Sequence, residues 1–179
     1  MFKSSNRSLI QPFFAMEMLR EANKLEKNGR DVIHLEVGEP SAGAPSTVIS
    51  QAKKLLEEKK PIPYTDSLGL PILREKISEY YSSSLNLVVP PQNIIITTGT
   101  SGGFVLSLLS AFDVGDKVAI SVPGYPAYRN ILLSLGLVPM EIITKKIHKY
   151  QPTVEQIKEM GNIDGIIIAS PSNPTGSIF

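Results

Sequence analysis

An α/β domain with a mostly parallel sheet and flanking helices is expected from this 179-residue chain on three grounds. Short β-branched runs alternate with stretches of helical apolar spacing, the order that crossover connections between parallel strands require. The runs Ile94-Ile95-Ile96, Val118-Ala119-Ile120 and Ile166-Ile167-Ile168 are apolar without a break, as strands covered on both faces are. Loops carrying Gly, Ser, Tyr and Asn follow those runs, where open α/β sheets bind their ligands.

Residues 11–28 place Phe14, Met18 and Leu25 at helical spacing, and Asn28-Gly29 stops the run. Val32, Ile33, Leu35 and Val37 make 31–37 a candidate strand, closed by Gly38-Glu39-Pro40 and a loop over 41–45. Ser46 is a candidate cap for a helix over 46–60, its exposed face laced by Lys53, Lys54, Glu57 and Glu58. Pro61 and Pro63 end it, and Pro71 enters a further helix over 70–82. A strand over 93–98 then precedes helical spacing in Phe104, Val105, Leu108, Leu109 and Phe112. Strands over 117–122, 138–144 and 165–170 alternate with helices over 125–135 and 153–160. The first forty residues stand outside this alternation, and the chain halts where a strand-end site would be assembled, so a truncated domain is expected.

Composition narrows the function classes. Lys and Arg number 18 against 17 Asp and Glu, a net charge of +1 that gives no reason to expect nucleic acid or an anionic membrane as partner. The absence of cysteine excludes a disulfide framework, a thiolate metal site and a cysteine nucleophile, and fits a reducing compartment. No apolar stretch follows the charges of the first seven residues, so no secretory signal is read there. The most apolar region, 131–140, is interrupted by Gly136 and Pro139 and falls short of the roughly 20 residues that span a bilayer. His34 and His148 lie far apart, with no carboxylate–histidine cluster expected around either, so no metal site is expected. A soluble cytoplasmic protein is the expectation.

Strand-end loops hold the residues that could carry chemistry. Thr98-Gly99-Thr100-Ser101-Gly102-Gly103 joins a strand to a helix; its glycines, hydroxyls and helix start suit a phosphate, or form a tight turn with a capping serine. It is not a P-loop, because no Gly-Lys-Ser/Thr follows. In Pro123-Gly124-Tyr125-Pro126-Ala127-Tyr128, Tyr125 sits on a stiff turn and either stacks on a planar ligand or packs against the next helix. Asn173, in Asn173-Pro174-Thr175-Gly176, either donates to a ligand oxygen or caps its own turn.

Together and in this order, these loops resemble the class I/II aminotransferases, the fold-type I pyridoxal-phosphate enzymes. Leu35-Glu36-Val37-Gly38-Glu39-Pro40 and Tyr64-Thr65-Asp66-Ser67-Leu68-Gly69-Leu70-Pro71-Ile72-Leu73-Arg74 extend the likeness over nearly the whole chain. The resemblance implies the large domain of the aspartate-aminotransferase-like fold, incomplete, over 45–179, preceded by an arm or part of a small domain over 1–44. It implies pyridoxal 5'-phosphate as cofactor, with Gly99, Thr100 and Ser101 on its phosphate and Tyr125 on its ring face. Asn173 would meet the ring's 3-oxygen, and Tyr64 the phosphate of a neighbouring subunit in a homodimer. Gly38 would meet the substrate carboxylate. A site built as in the family would also have cis bonds at Asn173–Pro174 and Val122–Pro123.

The activity implied is transamination between an amino acid and a 2-oxo acid. The family's Schiff-base lysine, its pyridinium-pairing aspartate and its carboxylate-gripping arginine lie further along such chains and match nothing here, so no catalytic residue is assigned and the chain alone is expected to be inactive. Lysine pairs such as Lys53-Lys54 and Lys145-Lys146 read as solvated charge. A lyase on the same scaffold and a non-catalytic truncated relative are the alternatives. The effector domain of a transcriptional regulator fits less well, since the short N-terminus leaves no room for a helix-turn-helix.

Overall fold

The computed structural model describes residues 2–179. They form two compact units: the segment up to Val37 together with Gly99–Phe179, and Gly38–Thr98.

In the first unit a 3-10 turn at Asn6–Leu9 precedes α1 (Phe14–Lys27), which is amphipathic and braced on its surface by Arg20–Glu17 and Lys24–Glu21 ion pairs. Asn28 and Gly29, the latter at φ +80, end it as expected. The remainder of the unit is an α/β layer: α4 (Gly99–Ala111), β1 (Lys117–Val122), α5 (Pro126–Leu135), β2 (Val138–Ile143), α6 (Val154–Glu159) and β3 (Gly165–Ile167). The strands form one sheet in the order β2-β1-β3, parallel throughout. Central β1 pairs Val118 with Pro139 on one side and with Gly165 on the other.

The pleat of β1 explains the core. Val118 and Ile120 point to one face, where Leu108 of α4, Leu132 of α5 and Leu137 close over them. Ala119, on the opposite face, is also fully buried. Each such leucine contributes about 1.5–3 kcal/mol through burial. Phe104, Phe112, Tyr128, Ile131, Leu135 and Ile167 pack around that cluster. Where β1 ends, the Val122 carbonyl accepts from both the Thr144 amide, at 2.8 Å, and the Thr144 hydroxyl, at 3.0 Å. That buried threonine fixes the point at which the Pro123-Gly124-Tyr125 loop leaves the sheet.

The second unit holds α2 (Ser46–Glu57) and α3 (Pro71–Leu85). Ser46 does not cap α2 but is its first residue; Pro45 occupies the cap position, and its carbonyl takes the first amides, from Val48 and Ile49. Pro71 does stand in the first turn of α3, where its missing N–H costs nothing. Asp66 Oδ1 accepts the Leu68 amide at 2.9 Å, folding the turn that leads into α3. Gly69 closes that turn at φ +94, and a Cβ there would stand 2.5 Å from the Ile96 side chain, so only glycine fits.

Two expected strands are absent. Residues 31–37 and 93–98 carry strand-like sequences, yet neither forms a ladder; Pro91–Asn93 is instead a single 3-10 turn. A strand is a pairing, and propensity cannot supply the partner. Ile96 donates to Leu68 O at 3.0 Å, a bond to a turn instead of to a neighbouring strand. β3 is also shorter than the expected 165–170, because its ladder with β1 ends at Ile167.

Candidate functional site

The loops at the carboxyl ends of the strands and the start of α4 carry the expected site residues of the first unit. Gly99 opens α4 at φ +77, with open space where a Cβ would stand. Thr100 and Ser101 complete a first turn that contains no acidic residue. Amides in a first turn point out of the helix, and the helix dipole favours negative charge there.

Tyr125 is the N-cap of α5 and is half-buried, with Pro126 starting the helix after it. Its ring meets Phe13 edge-on at 5.9 Å and Tyr128 at 5.4 Å, so the packing role considered from the sequence is real. Tyr128 in turn contacts Phe104 at 4.9 Å, tying the tyrosine pair to the core. Tyr125 and Ser101 share a hollow of about 420 Å³, whose other walls include Ile10, Phe13 and Asn130. Asn130 Nδ2 donates to Gln11 O at 3.1 Å and pins the N-terminal segment along this wall. Nothing in the spacing of the first thirteen residues marks Ile10 and Phe13 as neighbours of Tyr125, or Gln11 as the partner of Asn130, since these contacts span more than a hundred residues of chain.

Asn173 does not line that hollow. It borders a smaller one, about 10 Å³, with Ser121, Gly124, Tyr128 and Ser172, a space for a single water at most. Tyr125 borders the first hollow and Tyr128 the second, and their rings are in contact. The Asn173 loop is internally bonded, Ser172 N–H to Ser177 O at 2.9 Å and Gly176 N–H to Ser172 O at 2.7 Å. Asn173–Pro174 and Val122–Pro123 are both cis, as is Ser170–Pro171, which the sequence did not single out. Gly38 and Tyr64 belong to the second unit, where Gly38 has open space around it and the Tyr64 side chain is fully exposed.

One titratable cluster lies outside these loops. His34 has Glu36 Oε1 at 2.6 Å from Nδ1 and Glu26 Oε1 at 3.2 Å from Nε2, a carboxylate–histidine grouping that the sequence spacing did not suggest. Glu26 arrives from the last turn of α1, beyond the reach of local pattern. The Glu36 hydrogen bond first, and the Glu26 bond next, raise the imidazole above its ordinary value. Among the described residues no group of His, Cys, Asp and Glu side chains is arranged to hold a metal ion. No helix among them is long and apolar enough to cross a membrane.

Of the first turn of α4, Ser101 lines the hollow that Tyr125 also borders, while Gly99 and Thr100 are not among its walls. Amides and hydroxyls at a helix start are the kind of group that meets an anion. Comparison with known proteins gives that arrangement a setting. A family model described as aminotransferase class I and II matches residues 30–179. The chain is 39% identical over 174 residues to valine–pyruvate aminotransferase of Mycobacterium tuberculosis, covering 97% of this chain and 45% of that protein. It is 42% identical over 172 residues to a (5-formylfuran-3-yl)methyl phosphate transaminase of Methanocaldococcus jannaschii, covering 95% and 44%. An aminotransferase crystal structure from Mycobacterium tuberculosis superposes with a TM-score of 0.93 at 38% identity, over 100% of this chain and 46% of that one. Aspartate aminotransferase from Thermus thermophilus with maleate superposes at 0.90 and 27% identity, covering 99% and 47%. The chain therefore spans a little under half the length of the relatives it matches. With the matched region extending over most of its length, this chain belongs to the aminotransferase class I and II family.

Proposed function

We propose that this chain carries the phosphate- and ring-holding part of a pyridoxal-phosphate-dependent aminotransferase that exchanges amino groups between an amino acid and a 2-oxo acid. Members of the family are generally dependent on that cofactor, and its aminotransferase relatives support the reaction class. The observation that carries the reading is the hollow shared by Ser101, in the first turn of α4, and the Tyr125 ring.

The residues present fit the group. Gly99, at positive φ with nothing where a side chain would be, lets a phosphate approach the helix start closely. The Thr100 and Ser101 hydroxyls add donors, and the absence of an acidic residue in that turn avoids repulsion. Tyr125 would face the ring, and Asn173 is assigned to the ring's 3-oxygen on the family resemblance. When bound, the cofactor supplies an electron sink for negative charge at the substrate α-carbon. The residues of this chain bind and orient; Gly38 is assigned to the substrate carboxylate, and no proton-moving residue is assigned among them. A homodimer belongs to the reading, supported by the full exposure of Tyr64, which is assigned to the partner's phosphate. So do the division into an arm over 1–44 and a cofactor domain over 45–179, and a cytoplasmic setting, in keeping with a cysteine-free sequence. The likeness to valine–pyruvate aminotransferase makes valine and pyruvate the first pair to assay in a chain of the relatives' full length.

Calorimetric titration tests this with pyridoxamine 5'-phosphate, which has no aldehyde to react with surface lysines. Binding is expected to compete with inorganic phosphate. Ser101→Ala should weaken both ligands about tenfold, the worth of one charge-assisted hydrogen bond. Tyr125→Ala should weaken only the ring-bearing ligand. The 179 residues alone are expected to show no transamination of valine with pyruvate. Unchanged phosphate affinity in Ser101→Ala would remove the reading's main support.

A further inference from the structure

Gln151 lies in the loop between β2 and α6 and is 5% exposed, unusual for a neutral amide outside any helix or strand. Its side-chain nitrogen donates to Ala169 O at 3.1 Å and to Ser177 O at 2.8 Å. Both neighbours are backbone carbonyls, so only the NH₂ end of the amide can face them. Ala169 lies just past β3, and Ser177 closes the loop that contains Asn173. The Ser177 carbonyl also accepts the Ser172 amide, so the same oxygen anchors the loop's internal turn and its external tie. A buried amide with both N–H groups spent on the two ends of one loop restrains that loop more than apolar packing does, because hydrogen bonds fix direction as well as distance.

We propose that Gln151 is a positioning residue for Asn173, clamping the two ends of its loop so that the asparagine is presented beside the tyrosine loop. The proposal rests on the reading that Asn173 contacts the cofactor ring, and its own geometry is independent of it. Gln151→Leu keeps an apolar filler and removes both donors. Gln151→Glu keeps the shape, and its carboxyl regains one O–H donor only when protonated.

Hydrogen exchange followed by mass spectrometry on the full chain, over 170–177 with 117–122 as control, reads the clamp. Pyridoxamine 5'-phosphate affinity reads its consequence. Gln151→Leu should lower protection of the Asn173 loop about tenfold with β1 unchanged, and should weaken the ligand as much as Asn173→Ala does. The double variant should be no weaker than either single one. In Gln151→Glu, protection relative to the intrinsic exchange rate should recover as pH falls through the introduced carboxyl, whereas the parent profile stays flat; this arm also serves if the leucine variant loses protection everywhere. Unchanged loop protection in Gln151→Leu, or no recovery in Gln151→Glu at low pH, overturns the clamp. An affinity loss that adds to that of Asn173→Ala shows that Gln151 does not act through Asn173 and overturns the proposal. If Asn173→Ala alone leaves affinity unchanged, the cofactor contact of Asn173 fails, and the protection data still decide the clamp.

Discussion

His34 shows how far a single residue's behaviour depends on its neighbours. Hydrogen bonds to Glu36 and then Glu26 favour the charged form of the imidazole and raise its pKa above the ordinary value near 6.5. Its contribution to stability is therefore complete below that value and is lost as pH rises through the raised folded one. Glu36, lowered chiefly by its hydrogen bond to His34, has the opposite window: its contribution is present above the ordinary carboxylate range and lost as pH falls through the lowered value. The pair is thus most stabilising at mildly acidic pH. An NMR titration of His34 should give a midpoint above 6.5 that falls in Glu36→Gln, and falls less in Glu26→Gln. A midpoint at or below the ordinary value would contradict the grouping.

At the scale of elements, α6 is a short helix that depends on its ends. With few internal hydrogen bonds, a helix of this length does not stand by propensity alone. Thr153 Oγ1 accepts the Gln156 amide at 3.2 Å, while Gln156 Oε1 accepts the Thr153 amide at 3.1 Å, a complete capping box. Gln156 Nε2 also donates to Ile143 O at 2.9 Å and so ties the cap to the end of β2. Thr153→Ala is expected to cost about 1 kcal/mol in urea unfolding, with Thr153→Ser retaining most of it. The same box holds the start of the helix that follows Gln151, so increased exchange in Thr153→Ala should extend from α6 towards that loop.

For the molecule as a whole, the balance of buried and exposed apolar surface is uneven. The buried hydrophobic residues, Leu108, Val118, Ala119, Ile120, Leu132, Leu137 and Ile142, all belong to the unit containing the sheet. Gly38–Thr98 has none, and its Ile62, Tyr64, Ile72, Tyr80 and Val88 side chains are exposed. β2 and β3 each leave one edge of the sheet unpaired among the described residues. Apolar surface and open edges favour self-association. Light scattering on the 179-residue chain should find species larger than a monomer, with mass rising with concentration. A monomer that melts in one cooperative step would refute this.

Elements with a local signal are legible in the amino-acid pattern alone. Strands 117–122 and 138–143 and the helices around them follow from apolar runs and spacing. The family is legible for a different reason: its motifs are short, ordered and tied to loops that the strands position. Residues 93–98 have as strong a strand signal as 117–122 and form no strand, because a ladder depends on a neighbour that no local pattern encodes. The same limit hid Gln151, Phe13 and Glu26, whose partners are distant in the chain. Tertiary structure alone decided that Ser101 shares a hollow with Tyr125 and that Asn173 borders another, since periodicity gives the face of an element and only packing brings two faces together.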